Sequence, residues 1–438
     1  MRDLIVVAIV IGAALMAFKR PWIGVMLWTW LSIMNPHRYT YGFAYDAPLA
    51  AIAAAATLCG FVYSKDRASP FKGTPVTIFF LFVLWITLSW LFGMDPAGDY
   101  EQWKKVIKID FMIMIALALL HTKKHILALT WVVAGSLALL GAKGGLFTLA
   151  TGGNYRVWGP PESFIEDNNE FALALVMTIP LLRFLQLQLI NKWAKHGLTV
   201  TMVLCAAAAL GSQSRGALLA ITAMVTLLWW RGKNKLATGV TLLVIAPLLV
   251  MLMSDEWSSR MHSITNYEED RSAQGRFSAW WTAFGIAKNH LFGAGFNIIR
   301  ADLVAIYSPY PDFVHAAHSI YFLALGNHGF IGLALFLAIW VTTWRYAEWL
   351  RKTQTNIPQA KWCADLGAMC QVSLAGYAVG GTFLSLTYFD LPYNIMMLVV
   401  LGRQWMLNKG WEKESIIAQL PEPAIMQGFS KPLSRRIS

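Results

Sequence analysis

The sequence predicts an all-α integral membrane protein with about twelve transmembrane helices. Of its 438 residues, 57% are hydrophobic and only 14% are charged, whereas a soluble domain carries about 25% charged residues. The apolar residues come in runs such as 76–92, 236–253 and 319–343, each long enough to cross a hydrocarbon core about 30 Å thick. Many of the 20 tryptophans lie at the ends of such runs, where amphipathic rings settle at a membrane surface.

The apolar runs give the positions of the helices. Candidate spans lie at 4–18, 21–34, 47–63, 75–93, 106–120, 125–141, 170–190, 197–211, 216–230, 236–253, 318–344, 363–386 and 390–407. Only Lys19, Arg20 and Pro21 separate the first two, which therefore form either a tight hairpin or one long broken helix. The predicted count is accordingly twelve or thirteen, and the side of the N-terminus stays open.

The distribution of charge assigns the loops to two faces. Most lysines and arginines fall in one set of loops, at 19–20, 64–74, 121–125, 183–196, 231–235, 345–361 and 403–438. By the positive-inside rule this face is cytoplasmic. The long polar segments lie on the other face, at 94–105, 142–169 and 254–317. The predicted organisation is an N-terminal transmembrane region at 1–253, a large, partly helical periplasmic loop at 254–317, C-terminal transmembrane helices at 318–407 and a cytoplasmic tail at 408–438.

The net charge of +12 does not indicate nucleic-acid binding, because the basic residues stand in small clusters between apolar runs. Such clusters anchor loops to anionic headgroups, so membrane lipids are predicted partners. The four cysteines lie in or beside apolar runs, which favours packing over a disulfide or a metal site. No CxxC or HExxH pattern occurs, and the sequence predicts neither a metal nor a cofactor.

Two arginines on the outer face are candidates for binding phosphate. Arg215 stands in the short polar break Gly-Ser-Gln-Ser-Arg-Gly at 211–216, and Arg276 leads an aromatic stretch at 272–296 that also contains Lys288. A guanidinium at membrane depth is costly and is usually functional or paired, and its fork suits two phosphate oxygens. The alternatives are an arginine that reaches to lipid headgroups and a loop helix anchored to the membrane.

A histidine at the outer end of the span at 318–344 is a candidate proton acceptor. His318 begins the sequence His-Ser-Ile-Tyr, which ends at Tyr321. An imidazole titrates near neutral pH and is suited to take a proton from a hydroxyl. His315 lies one turn earlier, but no carboxylate stands at ligand spacing for a metal. The alternative role for His318 is capping or packing, and His328, deeper in the same span, is predicted to be structural.

A further polar cluster precedes the span at 170–190. Arg156 lies in Tyr-Arg-Val-Trp-Gly-Pro-Pro, and the stretch Glu-Asp-Asn-Asn-Glu follows at 166–170. These acids and amides, among them Asp167, Asn168 and Asn169, are suited to bind a sugar or an acceptor. They are equally suited to cap the helix that they precede, because Asp and Asn favour helix N-termini.

The order of these motifs resembles the O-antigen ligase and polymerase superfamily. The resemblance rests on four motifs: Ser-Arg-Gly at 214–216, Gly-Arg-Phe at 275–277, Asn-His-Leu-Phe-Gly-Ala-Gly-Phe at 289–296 and Ala-His-x-x-Tyr at 317–321. Three motifs of the first half, at 34–38, 143–148 and 154–161, resemble a subgroup of O-glycosylation ligases from exosortase-type gene clusters. Together the resemblance extends to about residue 405.

The resemblance implies a GT-C-type glycosyltransferase of the bacterial inner membrane that needs neither metal nor nucleotide sugar. Such an enzyme moves a glycan from undecaprenyl diphosphate to an acceptor hydroxyl in the periplasm. Carried over by motif, Arg215 and Arg276 would bind the diphosphate and His318 would be the catalytic base. Further candidates for substrate binding are Arg156, Asp167, Asn168, Asn169, Lys288 and Tyr321. The family often has Asn after the histidine, where this chain has Ser319.

The predicted acceptor is lipid A–core, as in an O-antigen ligase. A protein hydroxyl, as in a protein O-oligosaccharyltransferase, or a growing glycan, as in a polymerase, stays open because acceptor specificity lies in loop shape. The alternative from another class is a transporter or flippase for lipid-linked sugars. A transporter lines its midplane with polar groups, whereas the candidate residues here gather at one face, which favours an enzyme.

Glycan transfer should proceed in the presence of EDTA, because the sequence carries no clustered acidic or Cys/His ligand set on the outer face. The measurement is transfer by purified protein with and without chelator. Loss of transfer on chelation, restored by one added divalent ion, would contradict this expectation.

Overall fold

The computed structural model confirms that the chain is helical. It describes residues 1–231, 236, 239–240, 271–353 and 357–419, and these contain no β-strand. Most of the predicted span at 236–253, the first part of the predicted outer loop and the end of the predicted tail lie outside the described residues.

The described helices are numbered here in chain order. They are α1 (Arg2–Lys19), α2 (Pro21–Met34), α3 (Leu49–Tyr63), α4 (Thr74–Leu91), α5 (Tyr100–Leu119), α6 (Lys123–Thr151), α7 (Asn168–Gln188), α8 (Lys192–Gly211), α9 (Arg215–Arg231), α10 (Arg271–Asn289), α11 (Ala301–Tyr307), α12 (Ile320–Lys352), α13 (Lys361–Gly380), α14 (Asp390–Leu407) and α15 (Gly410–Gln419). Short 3₁₀ turns occupy Pro36–Tyr39, Pro358–Ala360 and Gly381–Phe383.

Five of the described helices, α4, α6, α7, α8 and α12, are long and apolar enough to cross a membrane, while α2 and α3 are apolar but shorter. The architecture is therefore that of a multi-pass membrane protein. The predicted twelve or thirteen spans and the GT-C-type arrangement stay predictions.

Helices α1 and α2 form a hairpin and not one broken helix. Helix α1 ends because Arg20 leaves helical geometry, with φ −136° and ψ 78°. Pro21 then begins α2, a position where its missing N–H costs no hydrogen bond. At the other end of α1, Asp3 Oδ1 accepts the backbone N–H of Ala44 at 3.2 Å. The N-terminus therefore lies on the same face as the loop that follows α2.

Several predicted helix boundaries were wrong. Helix α5 begins at Tyr100, six residues before the predicted start at 106, and α12 continues to Lys352, eight residues beyond the predicted end at 344. Helix α6 continues to Thr151, ten residues beyond the predicted end at 141, because Gly145 lets its backbone pack directly against the carbonyl of Leu204 in α8. The predicted span at 363–386 instead ends at Gly380. The chain then makes a 3₁₀ turn and an extended segment, which brings Ser385 back over the end of the bundle.

Contacts between loops agree with the two faces inferred from charge. On the predicted outer face, the Asn168 side-chain amide donates to the Ser212 carbonyl at 2.6 Å. On the predicted inner face, the Lys123 backbone N–H donates to Glu414 Oε1 at 2.8 Å. Each pair joins two segments that charge alone had placed on one side.

A break in α12 at Gly329 locks this helix to the outer loop. Gly329 has φ 68° and ψ −173°, so the helical hydrogen-bond ladder is interrupted there. The carbonyls of Gly326 and Asn327 instead accept the backbone N–H groups of Ala294 and Gly295, both at 2.9 Å. The glycine-rich motif at 289–296 is thus the partner that the broken helix requires.

Buried side chains complete this lock. Ser89 Oγ donates to the Asn327 carbonyl at 2.9 Å, and Trp85 Nε1 donates to the His328 carbonyl at 2.8 Å. The imidazole of His328 is fully buried, with Nδ1 2.8 Å from Ser89 Oγ and Nε2 2.6 Å from the Tyr388 hydroxyl. This network agrees with the predicted structural role of His328.

Gly293→Ala should destabilise the protein. Gly293 has a φ of +71°, and a Cβ there would overlap the carbonyl of Asn327; the left-handed backbone alone costs a non-glycine residue about 1–2 kcal/mol. We expect a lower melting temperature in detergent, measured by circular dichroism. Gly135→Ala in α6 is the matched control, because no atom lies within 4 Å of its new Cβ. Equal melting temperatures for the two variants would refute the role assigned to Gly293.

Candidate functional site

His318 lies directly before α12 in a strained backbone conformation. Its φ is +40°, a left-handed value that costs a non-glycine residue about 1–2 kcal/mol. The capping role belongs to Ser319, whose Oγ accepts the N–H of Phe322 at 3.5 Å. The imidazole remains 38% exposed. Strain of this kind persists where surrounding structure enforces it, often at functional sites, so capping does not account for His318.

Helix α10 holds the segment that carries His318. Trp280 Nε1 donates to the Ala317 carbonyl at 2.8 Å, and the Trp280 ring stacks on Phe322 with centroids 4.7 Å apart. Near the start of α10, Gly275 contacts the ring of His315. The contact is so close that a Cβ on residue 275 would collide with this ring. His315 is thus a packing contact of α10, and His318 is the histidine that faces the site.

Arg276 lies on α10, next to Gly275, and its positive charge acts on the imidazole of His318. Burial is the largest cause that lowers the pKa of His318 below its ordinary 6.5, and the positive charges of Arg276 and His315 lower it further. The carboxylate of Asp167 opposes these effects without cancelling them. The imidazole is therefore neutral at neutral pH, which is the form that accepts a proton.

Glu170 contributes a carboxyl group that was not among the predicted site residues. Its Oε1 lies 4.0 Å from His318 Nδ1 and accepts the backbone N–H of Ser385 at 3.4 Å. The side chain is only 6% exposed. At this distance the Glu170 carboxyl group lies beside the imidazole and helps to position it. Glu170 closes the polar cluster at 166–170, but it was not among the residues predicted for the site.

The acid and amides before Glu170 build the start of α7. Asp167 is the N-cap, since its Oδ1 accepts the N–H and the side-chain amide of Asn169, both at 2.8 Å. Asn168 is 2% exposed and donates to the Ser212 carbonyl at 2.6 Å. The capping alternative is thus correct for Asp167, and Asn168 ties α7 to the break between α8 and α9.

Arg215 is the first residue of α9 and emerges half-buried from that break. Ser214 Oγ accepts the N–H of Ala217 at 3.2 Å and so caps the helix. The next residue, Gly216, packs on the end of α13, where a Cβ would lie 3.8 Å from the carbonyl oxygen of Gly380. The segment after α13 carries Ser385, the partner of Glu170. Arg215 therefore begins its helix at the same end of the bundle as Glu170.

The remaining predicted site residues do not join this cluster. The Tyr321 hydroxyl donates to the Ala378 carbonyl at 2.8 Å and ties α12 to α13. Arg156 and Lys288 are exposed, and neither forms an ion pair or a hydrogen bond within the described parts of the chain. His290 lies 2.8 Å from the Tyr307 hydroxyl, which gives it a packing partner away from His318.

The fold and this cluster define a multi-pass membrane protein with a neutral histidine, carboxyl groups and arginines at one end of its helices. Residues 200–337, which include Arg215, Arg276 and His318, match a family model described as O-antigen ligase. This match confirms the resemblance to the O-antigen ligase superfamily over the second part of the chain. The family supports glycosyl transfer of the ligase or polymerase type.

The N-terminal part of the chain matches a different family model. Residues 1–189 match a family of unknown function, DUF5935. No curated protein matches the chain significantly. Glu170 falls in the first region and His318 in the second, so the site draws on both.

Arg276→Ala should reduce glycan transfer by about 10²–10³-fold, the usual cost of removing one electrostatic donor from a reaction site. Arg215→Ala should have an effect of the same order. Lysine at either position should restore little, because a point charge lacks the guanidinium fork. The measurement is the rate of transfer by purified variants.

Arg300→Ala is the matched control for both arginine variants. It removes the same charge from an exposed ion pair with Asp302, 2.7 Å long, and such pairs contribute little to stability. Full transfer by Arg215→Ala or Arg276→Ala would remove that arginine from the site.

Proposed function

We propose that the protein is a membrane glycosyltransferase that moves a glycan from undecaprenyl diphosphate to an acceptor hydroxyl at the periplasmic face of the bacterial inner membrane. The most direct reaction is transfer of O-antigen to lipid A–core. The observation that carries this proposal is the strained His318 with Arg276 acting on it and Glu170 4.0 Å away, inside a domain of the O-antigen ligase family.

His318 serves as the general base in this reaction. Its neutral imidazole takes the proton of the acceptor hydroxyl while the hydroxyl oxygen attacks the anomeric carbon of the glycan. The carboxylate of Asp167, whose charge favours the protonated ring, stabilises the imidazolium that forms. Glu170, whose carboxyl group lies 4.0 Å from the ring, is a positioning residue, and the new glycosidic bond forms at the attacking oxygen.

Arg276 and Arg215 act on the leaving group. As the bond between the anomeric carbon and the diphosphate breaks, negative charge develops on the phosphate oxygens, and fixed guanidiniums stabilise it. Direct displacement by one hydroxyl inverts the anomeric configuration, in contrast to the two-carboxylate, two-step route of retaining glycosidases. These groups need no metal ion and no nucleotide to perform their part.

The position of these groups supports an enzyme over a transporter. His318, Glu170 and Arg276 lie at the ends of their helices and not at the middle of the bundle, where transporters hold their substrates. A protein hydroxyl or a growing glycan would use the same steps as lipid A–core. A panel of the three acceptors with one undecaprenyl-diphosphate donor identifies the natural acceptor.

His318→Ala should lose about 10²–10⁴-fold in transfer rate, the usual contribution of a general base. Wild-type activity should persist below pH 6.5 and fall at more acidic pH, because the lowered pKa of His318 keeps the base form present there. Asp167→Asn retains the cap but removes a charge that raises the pKa of His318. It should therefore move the acidic fall to still lower pH.

The matched control is His290→Ala, since that imidazole contacts Tyr307 and lies outside the cluster. The measurement is the pH profile of transfer by each variant. An active His318→Ala protein, or a pH profile unchanged by Asp167→Asn, would show that His318 is not the base.

A further inference from the structure

A second cationic centre lies in the N-terminal part of the chain. The lysine cleft, as we name it, is a cavity of about 240 Å³ between α2, α5 and the loop before α7. Its defining residues are Lys104, Lys105, Lys108, His37, Trp28 and Phe164. All belong to the region that matches the family of unknown function, and none belongs to the site around His318.

The three lysines lie on one face of α5. Their mutual repulsion costs free energy, and a bound anion would relieve it. Lys104 and Lys108 are four residues apart on the helix, and like charges at this spacing repel each other. Charge analysis places Lys104 and Lys105 in a segment of the outer face, where basic residues do not serve as cytoplasmic anchors, and Lys108 follows at the start of the predicted span at 106–120.

The protein's own carboxylates do not neutralise the whole cleft. Glu101 pairs with Lys104 at 2.9 Å. Glu162 is already engaged, since Arg38 binds its Oε2 at 2.6 Å and the Tyr45 hydroxyl donates to its Oε1 at 3.1 Å. The cleft therefore keeps the charge of its other two lysines.

Lys105 and Lys108 supply that remaining charge. Lys105 Nζ donates to the Glu162 carbonyl at 3.4 Å and lies 4.2 Å from the centre of the Phe164 ring, which positions the ammonium group without cancelling its charge. Within the described parts of the chain, neither Lys105 nor Lys108 has a carboxylate at ion-pair distance.

His37 adds an unused hydrogen-bonding group. Its Nδ1 is buried and has no hydrogen-bond partner among the described residues, although a buried polar atom normally finds one. Burial and the charge of Arg38 lower the pKa of His37, so the ring is neutral and able to donate or accept a hydrogen bond. The cleft thus combines two cations with a neutral imidazole and the indole of Trp28 in its wall.

We propose that the lysine cleft binds the phosphate of an anionic lipid headgroup. Lysine ammonium groups bind phosphate as point charges, and a ring face next to them suits the glycerol or sugar of the headgroup. The cleft lies at the outer ends of α2 and α5, at the level where headgroups meet a membrane protein. This binding goes beyond the proposed transfer reaction and does not depend on it.

The cleft and the site around His318 share one loop. Glu162 and Phe164 stand in the wall of the cleft, and the same segment enters α7 at Asp167 and reaches Glu170 one turn later. The Glu162 backbone N–H donates to Glu166 Oε2 at 2.8 Å, which ties the two halves of this loop together. A bound headgroup would therefore contact the segment that positions Glu170.

The test compares lipid binding by the full-length wild type and its lysine variants in a neutral detergent. Binding of short-chain phosphatidylglycerol is measured by thermophoresis. Lys105→Gln/Lys108→Gln should weaken binding by about tenfold or more, because both charged hydrogen bonds to the phosphate are lost. Lys105→Arg/Lys108→Arg, which keeps both charges, should bind like the wild type. Both variants should melt at the wild-type temperature.

Lys192→Gln/Lys195→Gln is the matched control, with the same loss of charge on the opposite face. Binding that is unaffected in the control and weakened in the cleft variant supports the proposal. If inorganic phosphate binds as tightly as the lipid and is lost in the cleft variant, the ligand is the free ion and the lipid assignment is overturned. Equal lipid affinity for wild type and cleft variant, or an equal loss in the control, also overturns it.

Discussion

The break of α12 at Gly329 is the constraint on which the outer half of the structure depends. An interrupted helix exposes backbone carbonyls, and a membrane protein cannot leave such groups without hydrogen bonds. The motif at 289–296 satisfies them with its own N–H groups, and this fixes the end of α10 against α12. Through Trp280, α10 in turn holds the segment that carries His318.

The same arrangement accounts for the electrostatics of the site. Because α10 is fixed, Arg276 acts on His318 and, together with burial, holds the pKa of the imidazole low. A neutral imidazole next to guanidiniums is the combination that a base and an anionic leaving group require. Glu170 reaches His318 from α7, held by the N–H of Ser385, so the site forms only when several separate segments meet.

Sequence reasoning found the residues whose chemistry was out of place. Arg215, Arg276 and His318 were predicted because charged or titratable groups stood between apolar runs on the less basic face. Glu170 lay in the polar cluster at 166–170 but was not singled out, because no local pattern shows that the start of α7 meets the segment before α12. The lysine cleft was missed because its three lysines, at 104–108, straddle a predicted polar loop and the start of a predicted span, so they did not stand out as one group.

The sequence by itself determined the helical fold class, the position of most helices, the grouping of loops into two faces and the resemblance to the O-antigen ligase superfamily. These properties follow from hydropathy, charge and short motifs, which are local quantities. Only the tertiary structure decided where α6 and α13 end, that His318 adopts a left-handed backbone and that Glu170 is its neighbour. The reason is physical, because these features depend on contacts such as that between Glu170 and Ser385, 215 residues apart, and no local pattern encodes which distant segments will pack together.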